Sequence, residues 1–317
     1  MTVTLLVPTT IRQNVTAAPG SQVVYYDPSQ PIPTAHHDAE AIVIWGGRLH
    51  WLQETAKQLT RVRWVQGLAA GPDAILKAGF RPEAVLCNGV GLHNHPVTEH
   101  TLALVLAAAR SLPEMFTAQQ QGVWDRSLGD IEPIRAEPKF TTLRNARVLI
   151  WGYGTIARTL APVLQQLGAT VTGVATTGRD ENGVRVIASE DIDTELAHTD
   201  VVIMLLPNLP ETHDVMHLER MRLLPKHAWI INVGRGNSLN ETDLDQALRE
   251  GVIAGAAIDV AKQEPLPADS PLWNTPRLII TPHAAGGRPV DPEKLIEKNL
   301  AKFLAGETLD NLVERKA

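Results

Sequence analysis

The chain has 317 residues, of which 44% are hydrophobic, 20% charged and 4% aromatic. That is room for two ordinary domains and enough apolar material to bury their cores, which excludes disorder as the main state. A formal net charge of −6 gives no overall field for nucleic acid or anionic lipid, and a single cysteine, Cys87, excludes an intramolecular disulfide framework and a Cys-based zinc site.

The N-terminal segment 1–7 has no basic n-region and no small-residue cleavage site, so it is expected to be a first strand rather than a signal peptide. No apolar run reaches the roughly 18–20 residues of a membrane-spanning helix. Short β-branched runs predict strands at 3–7, 22–26, 41–45, 63–66 and 84–88. Leu102, Val105, Leu106 and Ala109 share one helical face, which predicts a helix over 98–110. The stretch 127–145 holds Gly129, Pro133, Pro138 and several charges without a period, and reads as a connection. A strand at 147–151 leads to a helix over 155–167, with Leu160, Val163, Leu164 and Leu167 on one face and Gly168 as its stop. Pro162 lies inside that helix and predicts a kink or a locally open turn. Further strands are predicted at 170–174, 201–205, 229–233, 254–258 and 278–281, and a helix over 241–250 starting after Asn240 and ending at Gly251. Strands alternating with helices indicate an α/β class with buried parallel strands and right-handed crossovers.

The strand 147–151 runs into Gly152-Tyr153-Gly154-Thr155-Ile156-Ala157 and then a helix. This is a G-x-G-x-x-A turn in the strand–turn–helix context of a dinucleotide site. Gly152 permits the tight turn, Gly154 lets backbone approach a pyrophosphate, and Ala157 allows close helix–strand packing. A cofactor lacking a 2′-phosphate usually meets an Asp or Glu about 20 residues further on. Here the second strand ends Val174-Ala175-Thr176-Thr177-Gly178-Arg179, with no carboxylate before Asp180. Two hydroxyls and a guanidinium suit a 2′-phosphate, so NADP(H) is expected over NAD(H).

Three later strings follow strand ends: Asn232-Val233-Gly234-Arg235-Gly236, Asp259-Val260-Ala261-Lys262-Gln263-Glu264-Pro265, and Thr281-Pro282-His283-Ala284-Ala285-Gly286. An open α/β sheet places its ligand at those ends. Each string carries one residue able to do chemistry: Arg235, Glu264 and His283.

Together with Thr98-Glu99-His100, Leu206-Pro207, Pro210-Glu211-Thr212 and Pro271-Leu272-Trp273, these strings make the sequence resemble the D-isomer-specific 2-hydroxyacid dehydrogenase family over nearly its whole length. The resemblance implies two doubly wound parallel-sheet α/β domains with an interdomain cleft. One is a flavodoxin-like substrate-binding domain, 1–95 completed by 290–317, and the other a Rossmann-type dinucleotide-binding domain, 96–289. It implies an oxidoreductase that reduces a 2-keto acid to a D-2-hydroxy acid, or the reverse, with Arg235, Glu264 and His283 as the catalytic set. Arg235 would hold the carboxylate and polarise the keto oxygen, His283 would pass the proton, and Glu264 would fix the imidazole. Asp259 matches a partner for the nicotinamide amide. Thr98, Leu206, Pro207, Thr212, Val233, Gly234 and Gly286 match other cofactor-wall positions. Leu68-Ala69-Ala70-Gly71-Pro72-Asp73 matches the loop whose backbone N–H groups receive the substrate carboxylate. Trp45 or Arg48, on the same edge, would set side-chain preference.

His93 and His95 stand where small polar residues are more usual, but the chemistry needs no metal and none is expected. The bulky Trp151 beside Gly152 has no functional account from sequence. A small-molecule substrate, no nucleic acid, no membrane, a cytoplasmic setting and a homodimer are expected, the last from the resemblance. Two alternatives remain open: a dinucleotide-sensing, corepressor-like binding protein of the same fold, and an amino-acid dehydrogenase working by imine reduction.

Overall fold

Continuous apolar runs become parallel strands buried on both faces. The computed structural model describes residues 2–129 and 139–315, and the chain clusters into two units, Met1–Asn94 with Gly287–Ala317 and His95–Gly286. Part of the connection expected over 127–145 lies outside the described residues.

In the first unit, strands β1 (Val3–Pro8), β2 (Ser21–Tyr26), β3 (Ala41–Ile44), β4 (Trp64–Gly67) and β5 (Val85–Cys87) pair in parallel in the order β2-β1-β3-β4-β5. Side chains alternate across each strand, so one set faces each layer of helices. Leu6, Ile42 and Val65 pack with Leu52 and Ala56 of α1 (Leu49–Gln58) and Ile75 of α2 (Asp73–Lys77). Leu5, Val43 and Trp64 pack with Ile296 and Leu300 of the C-terminal helix Pro292–Ala305. The strand order reverses between β1 and β3, where the Thr10 hydroxyl donates to the Trp45 carbonyl at 2.6 Å.

The second unit contains α3 (Asn94–Ala109), α4 (Leu112–Gln120), β6 (Arg147–Trp151), α5 (Thr155–Gln166), β7 (Thr170–Ala175), β8 (Arg179–Glu181) and β9 (Val184–Ala188). It continues through α6 (Ile192–Leu196), β10 (Val201–Met204), α7 (Leu218–Leu223), β11 (Trp229–Asn232), α8 (Glu241–Glu250), β12 (Gly255–Ile258) and β13 (Leu278–Ile280). Its sheet runs β13-β12-β11-β10-β6-β7-β9-β8, so the connection order turns over between β6 and β10, the place where such sheets hold ligands. Val148, Ile150 and Ile203 face α3 and α5, while Leu149, Met204 and Ile230 face α6, α7 and α8. Among the described residues no helix is long and apolar enough to cross a membrane.

Four details differ from the sequence reading. Helix α3 begins at Asn94 rather than at 98, because Pro96 falls in the first turn, where no in-helix N–H is needed. Helix α5 runs through Pro162 without a break; Pro162 and Arg158 are both exposed, so water can serve the carbonyl left without its bond. Trp151 is a core residue, 4% exposed, with the Arg220 guanidinium 5.4 Å from its ring centroid. The sheet ends in a hairpin with no counterpart among the predicted strands: β8 pairs antiparallel with β9 through Asn182-Gly183, whose φ values are +51° and +77°. Two positive φ values make the tight hairpin turn that Asn-Gly favours.

Candidate active site

The glycine turn after β6 is fixed by contacts that only glycine allows. Gly152 has φ +103°, and a Cβ there would lie 2.6 Å from the Leu205 carbonyl oxygen, so the turn is pressed against the end of β10. The N–H groups of Gly152 and Tyr153 both donate to the Val174 carbonyl, at 3.0 and 2.9 Å, tying the turn to β7. At Gly154 a Cβ would meet nothing within 4 Å, which leaves open space at the head of α5. The first turn of that helix (Thr155, Ile156, Ala157) directs its N–H groups out of the helix end, the setting of an anion site. The Thr98 hydroxyl oxygen is buried without a hydrogen-bond partner, a polar atom that a bound ligand would satisfy. These features fit a dinucleotide.

The other wall positions take different parts. Tyr153 is 5% exposed and its ring lies on Gly173, where a Cβ would be 2.4 Å away, so its backbone and not its ring faces the turn. Burial pushes its phenol pKa up. Gly234 packs on the backbone of Leu206, a Cβ there lying 2.7 Å from the Leu206 nitrogen. Leu206 and Val233 are buried, Pro207 is exposed and Gly286 is half-buried. The Thr212 hydroxyl donates to the Pro207 carbonyl at 2.6 Å and accepts from the Leu209 N–H at 3.0 Å, so it shapes its own loop.

At the end of β7, Thr176 and Thr177 are exposed. Arg179 opens β8 and folds back: Nη2 donates to the Tyr153 carbonyl at 3.3 Å, Nη1 to the Thr177 carbonyl at 3.3 Å and Nε to Glu181 Oε2 at 2.8 Å. Arg158 of α5 also holds Glu181, through Nε to Oε1 and Nη2 to Oε2. The Arg158 and Arg179 guanidiniums keep the Glu181 carboxyl below the usual carboxylate range.

The three chemistry-bearing residues follow adjacent strands whose ends are level. Asn232 of β11, Ile258 of β12 and Ile280 of β13 are register partners. Beyond β11, the buried Asn232 side chain accepts from the Gly234 N–H at 3.1 Å and donates to the Arg235 carbonyl at 3.2 Å. That carbonyl also accepts from the Ser238 hydroxyl at 2.7 Å, so the backbone that presents Arg235 is pinned twice. The Arg235 guanidinium itself is half-buried and touches the Gly234 carbonyl through Nη1 at 2.9 Å. Gly236 then meets the next loop so closely that a Cβ would sit 2.0 Å from the Ala261 carbonyl carbon. Ala261 N–H in turn donates to Glu264 Oε1 at 3.0 Å, and Glu264 Oε2 meets His283 Nδ1 at 2.6 Å. Backbone contact thus links the Arg235 loop to the Glu264–His283 pair, whose side chains are 37% and 48% exposed.

His283 adopts φ +53°, a conformation that costs a non-glycine residue energy unless its surroundings enforce it. They do so through Asp259, only 1% exposed. The His283 N–H donates to the Asp259 carbonyl at 2.7 Å. The Asp259 carboxylate accepts from Thr281 Oγ1 at 2.6 Å and from the N–H groups of Ala284 and Ala285, both at 2.8 Å. His100 Nε2 stands 3.0 Å from Thr281 Oγ1 and 3.4 Å from Asp259 Oδ1. The expected nicotinamide partner therefore has three of its hydrogen bonds inside the 281–285 loop. Sequence reasoning gave no role to Asn232, Ser238, Thr281, Arg158 and Glu181; the signals were the Asn and Thr inside two of the quoted strings and the Asn182-Gly183 turn.

In the first unit, the loop after β4 presents Ala69 exposed and Ala70 and Gly71 half-buried. The Leu68 carbonyl accepts from His93 Nε2 at 2.8 Å and the Ala69 carbonyl from the Gly89 N–H at 2.8 Å. His93 is thus a buried brace for this loop, its ring 5.5 Å from the half-buried Trp45 ring. Among the described residues no three His, Cys, Asp or Glu side chains gather as a metal site.

Comparison with known proteins bears on the family and the fold. The sequence model of the D-isomer specific 2-hydroxyacid dehydrogenase family, NAD binding domain, matches residues 102–285. A glyoxylate/hydroxypyruvate reductase A of Salmonella paratyphi B is 32% identical over 267 residues, 80% of this chain and 81% of that protein. A crystal structure of a D-isomer specific 2-hydroxyacid dehydrogenase family protein from Aeromonas salmonicida superposes with a TM-score of 0.83 at 28% identity, covering 99% of each chain. A D-isomer specific 2-hydroxyacid dehydrogenase from Xanthobacter autotrophicus, crystallised with NADPH and MES, gives a TM-score of 0.78 at 26% identity, covering 99% of this chain and 98% of that one.

Proposed function

The chain belongs to the D-isomer specific 2-hydroxyacid dehydrogenase family, an NAD(P)-dependent oxidoreductase acting on 2-hydroxy and 2-keto acids, and from that premise we propose that it reduces a small 2-keto acid of the glyoxylate or hydroxypyruvate kind with NADP(H) as the preferred carrier. Arg235, Glu264 and His283 do the work at the substrate. The reduced nicotinamide, when bound, supplies hydride to the carbonyl carbon. Arg235 offers a planar fork of donors to the substrate carboxylate and keto oxygen, where a lysine would offer one point charge. With Nδ1 engaged by Glu264, His283 presents Nε2 to donate a proton as negative charge grows on the keto oxygen. Glu264 sets the ring's orientation and tautomer, and Asp259 sets the backbone that carries it.

The observation that carries this reading is the 2.6 Å contact between His283 Nδ1 and Glu264 Oε2, in a loop locked by a buried carboxylate beside a pinned arginine. The unit Met1–Asn94 with Gly287–Ala317 serves as the substrate-binding unit, with Trp45, Ala69, Ala70 and Gly71 lining its side, and His95–Gly286 as the dinucleotide-binding unit. The NADP(H) preference is supported by Thr176, Thr177 and Arg179 just after β7, a stretch with no carboxylate of its own, and by the fact that the nearby Glu181 is held by two guanidiniums. The test is oxidation of NADPH and of NADH by the purified protein with glyoxylate, hydroxypyruvate and phenylpyruvate. No turnover of any 2-keto acid with either carrier would sink the reading, and a clear NADH preference would sink the choice of carrier.

A cytoplasmic homodimer belongs to the same reading. It is supported by apolar surface on and just after α4, where Phe116 is 58%, Val123 53% and Trp124 89% exposed. A monomeric mass by light scattering at working concentration would rule the dimer out.

A further inference from the structure

The ion cluster at the connection from β7 to β8 takes no part in hydride or proton transfer, yet it follows the strand end where a Rossmann-type sheet receives the adenosine ribose. Arg179 and Glu181 are two residues apart on β8 and so project to the same face, pinned by the Asn182-Gly183 turn. Arg158 comes from α5, one turn past the glycine turn, and Arg179 reaches the Tyr153 carbonyl within that turn. Two guanidiniums from different elements thus converge beside the dinucleotide turn, and a carboxylate lies across both.

We propose that Glu181 is a built-in competitor for the 2′-phosphate of NADP(H): it occupies the Arg158–Arg179 fork in the unliganded protein, must give up part of it when the phosphate binds, and so sets how strongly the chain discriminates NADPH from NADH. This rests on the NADP(H) reading above. A phosphate carries a charge of about −1.5 to −2 and three acceptor oxygens, so it out-competes a carboxylate for the fork. The displaced carboxylate stays on the same short strand and repels the newcomer, which reduces the gain. A ribose with a free 2′-hydroxyl brings no charge for the fork to attract or for Glu181 to repel. Selectivity in this chain is then a difference between an attractive pair and an internal anion placed against it.

Dissociation constants for NADPH and NADH, measured by nucleotide fluorescence, and for adenosine 2′,5′-bisphosphate, measured by calorimetry, test this on the native protein and on Glu181→Gln and Arg179→Gln. Glu181→Gln is expected to tighten NADPH and the bisphosphate roughly fivefold, more at low salt, and to leave NADH within about twofold. Arg179→Gln should weaken the two phosphorylated ligands by roughly tenfold and spare NADH. Unchanged or weaker NADPH binding in Glu181→Gln, or equal shifts for both carriers, would overturn the proposal. If the native protein prefers NADH while Glu181→Gln tightens only NADPH, the inference stands and the carrier preference proposed above falls. If the native protein prefers NADPH and Glu181→Gln leaves it untouched, the carrier preference stands and the inference falls.

Discussion

Asp259 and Glu181 are carboxylates at strand ends of one sheet, and the fold treats them in opposite ways. Asp259 is 1% exposed and accepts from a hydroxyl and two backbone N–H groups of a single loop. Glu181 keeps 21% of its side chain in solvent and meets two partly exposed guanidiniums. A buried anion with that many donors is architecture, because removing its charge leaves polar groups in the dark. A surface anion in an ion cluster contributes little to folding, because water and salt screen it, but it acts on any charged ligand that arrives. On the proposed reading, the edge with His283 is built for position and the edge with Glu181 for discrimination.

Substitutions can break or sharpen that contrast. The largest effect is expected at the residue that Asp259 serves: His283→Ala should lower kcat by about 10²–10⁴-fold while leaving the thermal unfolding midpoint close to native, since the ring is half exposed. Asp259→Asn should cost about 2–4 kcal/mol in urea unfolding and also depress kcat, because the amide nitrogen would replace one of the two acceptor oxygens and face either the Ala284 or the Ala285 N–H. A stable Asp259→Asn variant with native kcat would remove the architectural reading. Gly236→Ala should lower kcat/KM by roughly tenfold or more together with stability, since its Cβ would lie 2.0 Å from a backbone carbon that no rotamer can move. Gly154→Ala should behave differently. A Cβ there meets no protein atom within 4 Å, so the unfolding midpoint should stay near native while both carriers bind roughly tenfold more weakly. The smallest folding effect is expected at Glu181→Gln, whose unfolding midpoint should match the native one; a large drop would place Glu181 with Asp259 and erase the contrast.

How far the sequence could be read follows the same division. Strands β6 and β10–β13 declare themselves as apolar runs, and Arg235, Glu264 and His283 declare themselves because each follows such a run in a string of distinctive residues. The roles of Asp259 and Tyr153 did not follow from their strings. The Asp259 carboxylate turns into the loop of His283, and the Tyr153 ring drops onto Gly173, 20 positions away along the chain. His93 read as a departure from pattern and is a brace for the Leu68 carbonyl. Arg158 and Glu181 lie 23 positions apart, on a helix and on a three-residue strand, and nothing local announces their pairing.

The amino-acid order by itself determined the parallel strands other than β9, where a dinucleotide turn is to be expected, and which side chains have the chemistry to move a proton or grip a carboxylate. These follow from periodicity, from backbone freedom at glycine and from functional-group chemistry, all of which act over a few residues. Only the tertiary structure decided which carboxylate is buried and which is left in water, and which backbone groups pin the arginine and the histidine. Burial and hydrogen-bond partnership depend on atoms brought together from distant parts of the chain, and that proximity exists only once the sheet has formed.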